Sequence, residues 1–357
     1  LANLGFALRS AGQYPDALDA FSRALALAPD HVGAHLGLVS ILSGLRSQEF
    51  SPEIEKALLQ AFASPLSNHA ELADAAAHQL GLKFGLEGKD GDIDIEAAPA
   101  MAPKMAPKMA GDPLFAAFLT RAVNTHIPME LTLTGLRRAL LEKAGAKGGL
   151  SEGMLKMAAL LGVQGFMNEY VFFAGAEETK ALQGVKERLE KALEGGGEPG
   201  AVREPALVYG MYGPLSGVRG SVALADLPPE TLGSELDRLV QLTIRDAQEE
   251  QALKDKIETL GSISDETSKA VRAQYEESPY PRWLHAPAQQ PRTLMALLAG
   301  HFPHFTPPAF DGPLDVLIAG SGTGQHALQV ARTHPDARIL AIDLSQASLA
   351  YALRMAE

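Results

Sequence analysis

The chain has 357 residues, 46% of them hydrophobic, which is enough for two or three domains with buried cores. Its 43 acidic residues outnumber the 31 basic ones, giving a net charge of −12. That charge, with no run of Lys and Arg to offset it, argues against a phosphate-driven nucleic-acid partner. The chain has no cysteine, which excludes disulfides, thiolate zinc sites and a cysteine nucleophile. No signal peptide opens the chain, so the expected location is cytoplasmic.

Residues 1–34 carry Leu4, Gly5, Leu8, Gly12, Tyr14, Ala17, Phe21, Ala24 and Pro29 at fixed offsets. Small Gly5 and Ala17 let two antiparallel helices approach. Tyr14 and Phe21 are expected to fill the gap between them, and Pro29 to stop the second helix. This pattern resembles a tetratricopeptide repeat, whose period is about 34 residues. One period on, His31–Leu45 offers a helix with Ala34, Leu38, Ile41 and Leu45 on one face, and then the pattern dissolves. The resemblance implies a protein or peptide partner; a packing or dimerising spacer is the alternative.

Two helices follow, Pro52–Ala63 and Ala70–Phe84, closing a tetratricopeptide-like region at residues 1–87. Residues 88–113 read as a linker. Met101-Ala102-Pro103-Lys104 repeats at once as Met105-Ala106-Pro107-Lys108, and a proline at every fourth residue predicts no helix.

Residues 114–270 read as an all-helical middle domain. Phe115, Phe118, Leu119 and Ala122 share one face, and Leu133, Leu136, Leu140 and Leu141 share another. The longest apolar stretch, Met154–Ala176, contains Lys156, Asn168 and Glu169, so it predicts a pair of core helices rather than a membrane span. The polar pair Asn168-Glu169 within it is expected to be a satisfied core group rather than a catalytic one. Glu177–Leu193 predicts an amphipathic helix broken at Gly195–Gly200. Leu232–Leu260 predicts a long helix with Leu236, Leu239, Val240, Thr243 and Ala247 on one side.

Residues 271–357 open with Gln274-Tyr275-Glu276-Glu277-Ser278-Pro279-Tyr280-Pro281-Arg282-Trp283, whose prolines force an extended path. An apolar run, Leu314–Ala319, then meets Gly320-Ser321-Gly322-Thr323-Gly324 and a helix-like stretch, Gln325–Ala331. A second apolar run, Arg338–Ile342, ends on Asp343. Strand, glycine turn and helix present backbone N–H groups to a nucleotide-like ligand, and an acid at the second strand's tip can accept ribose hydroxyls. His301, His304, His326 and His334 lack metal-ligand spacing.

The glycine spacing separates two ligand classes. A dinucleotide site wants Gly-x-Gly-x-x-Gly, and Gln325 stands where that pattern needs its third glycine. The tighter Gly-x-Gly-x-Gly, from Val316 through Gly324 and on through Leu340-Ala341-Ile342-Asp343-Leu344-Ser345, resembles the class I S-adenosylmethionine-dependent methyltransferases. With the aromatic segment and the tetratricopeptide pattern, the chain resembles a bacterial family of tetratricopeptide proteins ending in such a domain. The resemblance implies a mainly α chain that runs into the start of an α/β, Rossmann-like methyltransferase domain. It implies S-adenosylmethionine as cofactor, held by Gly320, Ser321, Gly322, Thr323, Gly324, Asp343 and Leu344. Arg282, on a segment placed like a lid, is expected to offer its charge to the methionyl carboxylate, with an interdomain strap as the other reading of that segment.

One position departs from the family: Ile318 stands where these enzymes usually carry an acid. Two rivals therefore stand beside the methyltransferase. One is a tetratricopeptide interaction protein with a degenerate domain; the other is a nicotinamide oxidoreductase, against which Gln325 counts. A stable solenoid needs about three repeats, and two strands alone leave a sheet's faces open, so the natural protein is expected to run past both ends of this sequence, and this chain by itself to be inactive.

Overall fold

The computed structural model describes residues 1–86, 98–146, 148–261, 264–288, 290–304, 306 and 313–357, with side chains from 104 onward in the helix that starts at Ala98. The described residues fall into two compact units, Leu1–Ala247 and Gln248–Glu357.

The first unit is helical throughout its described residues. It opens with α1 (Ala2–Ser10), α2 (Tyr14–Leu27), α3 (Val32–Leu42), α4 (Pro52–Ala63) and α5 (His69–Phe84). Gly12, at φ +75°, turns the chain between α1 and α2. Phe21 is wholly buried, with Phe6 packed edge-on at 5.0 Å. Gly5 and Gly37 clear its space: a Cβ at either would fall within 2.7 Å of the ring. Tyr14, expected in the same gap, is 48% exposed, because it starts α2 directly after the turn between the two helices. Ser51 caps α4 ahead of Pro52, and Gly85 ends α5 in the left-handed region, so the two helices predicted there form nearly to the residue.

The next helix corrects the linker reading. Residues 88–97 of that stretch lie outside the described residues, but α6 (Ala98–Ala110) is helical across Pro99, Pro103 and Pro107. Pro99 sits in the first turn, where no N–H is needed. Prolines four apart remove N–H groups along a single stripe, and the other three residues of every four keep their ladder. Burial supplies the rest: Ala106, Met109 and Ala110 are 0% exposed, and Pro107 lies against Gly153.

Then follow α7 (Pro113–Arg121), α8 (Ile127–Ala144), α9 (Glu152–Met167), α10 (Ala176–Glu194) and α11 (Pro199–Gly210). After them come α12 (Pro229–Leu232), α13 (Ser234–Val240), a π-turn at Gln241–Arg245, and α14 (Asp246–Lys254). The predicted core faces of α7 and α8 are buried as expected. Met154–Ala176 is one central helix, α9, followed by a turn, rather than two helices; from Met157 to Met167 every residue is buried. The long helix predicted to start at Leu232 runs from Ser234 to Lys254 and widens to a π-turn where the Thr243 hydroxyl donates to the Leu239 carbonyl.

Among the described residues, no boundary separates a tetratricopeptide region from a middle domain. Lys83 of α5 pairs with Glu55 of α4 and with Asp112, the cap of α7, at 2.5 Å for the latter. Arg121 donates to the Phe62 carbonyl at the end of α4. These polar ties leave no trace in hydrophobic periodicity, so the sequence reads a break where the structure has a continuous unit.

The second unit begins at Gln248, earlier than the predicted 271. It holds the rest of α14, then α15 (Glu266–Glu277), α16 (Leu294–His301), β1 (Leu314–Ala319), α17 (Gln325–Thr333), β2 (Ala337–Ile342) and α18 (Gln346–Ala356). Glu250 pairs with Arg354 at 2.9 Å, and Lys254 with Glu276 at 3.2 Å; these ion pairs carry residues 248–270 into this unit. β1 and β2 are parallel, with Val316 beside Ile339 and Ala319 beside Ile342. The chain is thus mainly α, and among the described residues its α/β part is this strand–helix–strand and the helix after it. Among them, no helix is long and apolar enough to cross a membrane.

Candidate functional site

The glycine loop forms where the sequence predicts it, between β1 and α17. Gly320, Gly322 and Gly324 adopt φ of +68°, +53° and +79°. That conformation costs other residues roughly 1–3 kcal/mol, which is why glycine recurs at alternate positions. The Gly324 N–H donates to the Ser321 carbonyl at 3.0 Å, and the Ser321 N–H to the Ile342 carbonyl at 3.1 Å, which stitches the loop to β2.

The three glycines then differ. A Cβ on Gly324 would lie 2.3 Å from the Cβ of Ala352 in α18, so this glycine lets two helices meet. A Cβ on Gly320 or Gly322 would meet nothing within 4 Å. Those two positions form an open backbone cradle.

Asp343 joins that cradle. The Gly322 N–H donates to its Oδ2 at 2.8 Å, and the Ser345 N–H to its Oδ1 at 2.9 Å. The acid and the glycines, predicted separately, are in contact. Each carboxylate oxygen keeps a lone pair beyond these bonds, so a pair of ligand hydroxyls could still donate to it. Leu344 is 43% exposed beside it. Ser345 caps α18 by accepting from the Ser348 N–H at 3.0 Å.

The aromatic segment closes onto the same loop. The Trp283 indole N–H donates to the Thr323 carbonyl at 3.0 Å, and the Thr323 hydroxyl donates to the Pro281 carbonyl at 2.6 Å. Gln325 donates to the His285 carbonyl at 3.2 Å. The Trp283 backbone is held in turn by Tyr351 of α18. The phenol donates to the Trp283 carbonyl at 2.6 Å and accepts its N–H at 3.2 Å. Burial pushes the Tyr351 hydroxyl up to about 12, although Arg354, Arg282 and the bond from Trp283 pull the other way.

Arg282, expected to reach for a ligand carboxylate, lies 5.4 Å from the Tyr351 ring centroid and 3.9 Å from Glu250. Its charge thus faces a carboxylate of the chain itself. Thr323 is 2% exposed, its hydroxyl turned to Pro281 rather than to the cradle. Ser321 Oγ is shielded from solvent and has no hydrogen-bond partner among the described residues. Ile318 is half-buried in β1. His334 donates from Nδ1 to the Arg292 carbonyl, 2.9 Å away, and among the described residues no group of His, Asp and Glu could hold a metal.

Glu276 is a further member that sequence patterning does not single out. Its carboxylate accepts from the Gln346 and Ala347 N–H groups at the start of α18. Burial alone would raise this carboxyl. The bonds from Lys254 and from the two amides outweigh it and hold Glu276 below its usual range.

In the first unit the Asn168-Glu169 pair is structural. Asn168 ends α9 and accepts the Tyr170 N–H at 3.1 Å, while Glu169 and Tyr170 turn through positive φ. The unexpected charge nearby is Arg137, only 2% exposed. It lies 4.7 and 4.5 Å from the ring centroids of Phe172 and Tyr212, donates to the Phe173 carbonyl at 2.5 Å and sits 3.9 Å from Glu178. Burial drives the Tyr212 phenol well up, and its hydroxyl donates to Glu178 at 2.8 Å. These contacts make Arg137 a core cation held by chain groups; Arg138 beside it is exposed, and no local pattern tells the two apart.

Comparison with known proteins agrees with one part of this reading. The family model for the tetratricopeptide repeat matches residues 1–31, the α1–α2 hairpin that closes around Phe21. No curated protein and no solved structure matches the chain. The chain therefore contains a tetratricopeptide repeat, and that repeat points to a role in protein–protein interaction.

Proposed function

We propose that the second unit binds S-adenosylmethionine on its glycine loop and transfers the methyl group to an acceptor, while the tetratricopeptide hairpin engages a protein partner. The observation that carries this reading is the 2.8 Å bond from Gly322 N–H to Asp343, which joins the glycine motif to the strand-end acid beside an open cradle. The residues present fit the group. Gly320 and Gly322 leave room for close backbone approach, the shielded Ser321 hydroxyl lacks a partner among the described residues, and Asp343 keeps lone pairs for the ribose hydroxyls. Leu344 offers apolar surface next to that acid.

When bound, the cofactor supplies a methyl carbon already activated by its sulfonium. What the chain contributes is positioning: a glycine loop stitched to β2 and an acid fixed by two backbone N–H groups. Gly324 packs against Ala352 of α18, and Gln325, standing where a dinucleotide site needs its third glycine, is tied to His285, which favours this ligand over a nicotinamide dinucleotide.

Calorimetric titration with S-adenosylhomocysteine, S-adenosylmethionine and NAD tests the reading. Both sulfur ligands should bind and NAD should not. Asp343→Ala should weaken them roughly 10- to 150-fold, the effect of losing hydrogen bonds to a carboxylate. Binding of NAD alone, or an unchanged affinity in Asp343→Ala, overturns the assignment. A second reading, an interaction protein with a degenerate domain, is favoured by Ile318 and by the tetratricopeptide match. It requires that none of the three ligands bind.

A further inference from the structure

Two hydrogen bonds tie the glycine loop to the Pro281–Trp283 strap, and two more tie that strap to α18. Thr323 carries both of the first pair. Its carbonyl accepts the Trp283 indole N–H, and its hydroxyl donates to Pro281 two residues earlier in the same strap. Trp283 is held by its own backbone to the Tyr351 hydroxyl, through its N–H and its carbonyl. Tyr351 belongs to α18, the helix whose Ala352 packs beneath Gly324. The strap, the loop and α18 therefore form a closed ring of contacts. Thr323 is 2% exposed, Trp283 6% and Tyr351 0%, so water does not compete for these bonds.

We infer that the Thr323 hydroxyl, with Trp283 and Tyr351, is a positioning device that fixes the backbone of the glycine loop for its ligand, rather than a ligand contact or a mobile lid. The inference rests on the cofactor reading only for the identity of that ligand. Gly320 and Gly322, which lack side chains to anchor them, lie in the segment between Thr323 and β1; the Pro281 and Trp283 bonds restrain its far end. Losing one of them frees the segment without emptying the core.

Paired substitutions separate this role from simple packing. Thr323→Val keeps the shape and removes the hydroxyl; Thr323→Ser keeps the hydroxyl and removes the methyl. Two readouts are taken on the full chain: hydrogen–deuterium exchange of the 320–325 amides, and calorimetric affinity for S-adenosylhomocysteine. In Thr323→Val, loop exchange should rise and affinity fall, each about five- to tenfold, the worth of one net hydrogen bond. Exchange in α9 of the other unit should not move. Thr323→Ser should restore both values to wild type. The inference is overturned if Thr323→Val leaves loop exchange unchanged, or if Thr323→Ser behaves as Thr323→Val does, since packing then explains the site. If wild type binds no S-adenosylhomocysteine yet loop exchange follows the hydroxyl, the positioning role stands and the cofactor reading alone falls.

Discussion

Gly324→Ala should destabilise the second unit more than the same change at the other two loop glycines. Two terms add at Gly324. Its φ of +79° is strained for alanine by about 1 kcal/mol or more. The new Cβ would also lie 2.3 Å from the Cβ and 3.2 Å from the Cα of Ala352, a contact that real Cβ atoms do not tolerate and that α17 and α18 must separate to relieve. Overpacking of this kind costs about 1–3 kcal/mol, giving a total of about 2–4 kcal/mol. Gly322→Ala, with open space around it, should show only the backbone term. Urea unfolding followed by tryptophan fluorescence measures this in the right place, because Trp283 is the chain's single tryptophan and lies 6% exposed in that unit. The steric share can be isolated with Ala352→Gly. That change costs about 1 kcal/mol by itself as a helix glycine, but it removes the nearest atom of the clash. The double mutant should recover about 1–2 kcal/mol in a double-mutant cycle. A Gly324→Ala value equal to that of Gly322→Ala, or a cycle with no coupling, refutes the close-packing account.

Glu276, held below the usual glutamate value of 4.5, adds stability that is complete above that value and is lost as the pH falls through its lowered value in the folded chain; Glu276→Gln should flatten acid unfolding of the second unit in that window, as followed by Trp283 fluorescence. Tyr351 behaves in the opposite sense. With its phenol raised from 10 to about 12, its contribution is complete below pH 10 and fades as the pH rises toward 12, so alkaline unfolding of Tyr351→Phe should lack that transition and its neutral stability should fall by about 1–3 kcal/mol, as Trp283 loses its partner. In the first unit Phe21→Ala should cost about 3–5 kcal/mol by circular dichroism, because Gly5 and Gly37 leave a gap that no neighbouring side chain can fill; a loss under 1 kcal/mol would show that the hairpin collapses around the cavity.

The sequence makes the local parts legible and the long-range polar parts illegible. Glycines that need positive φ, strands ended by an acid and helices opened by Ser-Pro all act within a few residues, so β1, α17, β2, α4 and α5 form where patterning puts them. The junctions depend on pairs far apart in the chain. Lys83 meets Asp112, and Glu250 meets Arg354, and neither partner is marked by its neighbours. Hence the three predicted borders, near 88, 114 and 271, differ from the one observed at 247. At the site, the loop and Asp343 are readable because each carries its own geometry. The partners of Arg282 and Thr323 are not, since Glu250 and Pro281 become relevant only once the strap has folded back. Arg282 shows the hazard: position suggests a ligand for its charge, and the fold supplies an internal one.

The prolines of α6 bear on the order in which the first unit assembles. A segment that repeats Met-Ala-Pro-Lys has no tendency to wind into a helix in water, because every fourth residue removes a backbone bond and obstructs its neighbour. Whatever keeps Ala98–Ala110 helical must come from the surfaces it lies on, where Ala106, Met109 and Ala110 are shut away from solvent and Pro107 rests on Gly153. Such an element cannot nucleate. It has to wait for α8 and α9 to stand as a template, and it is the first to leave when they loosen. In kinetic terms, substitutions at Met109 should speed unfolding and leave the folding rate nearly untouched, the signature of a helix that adheres to a finished core.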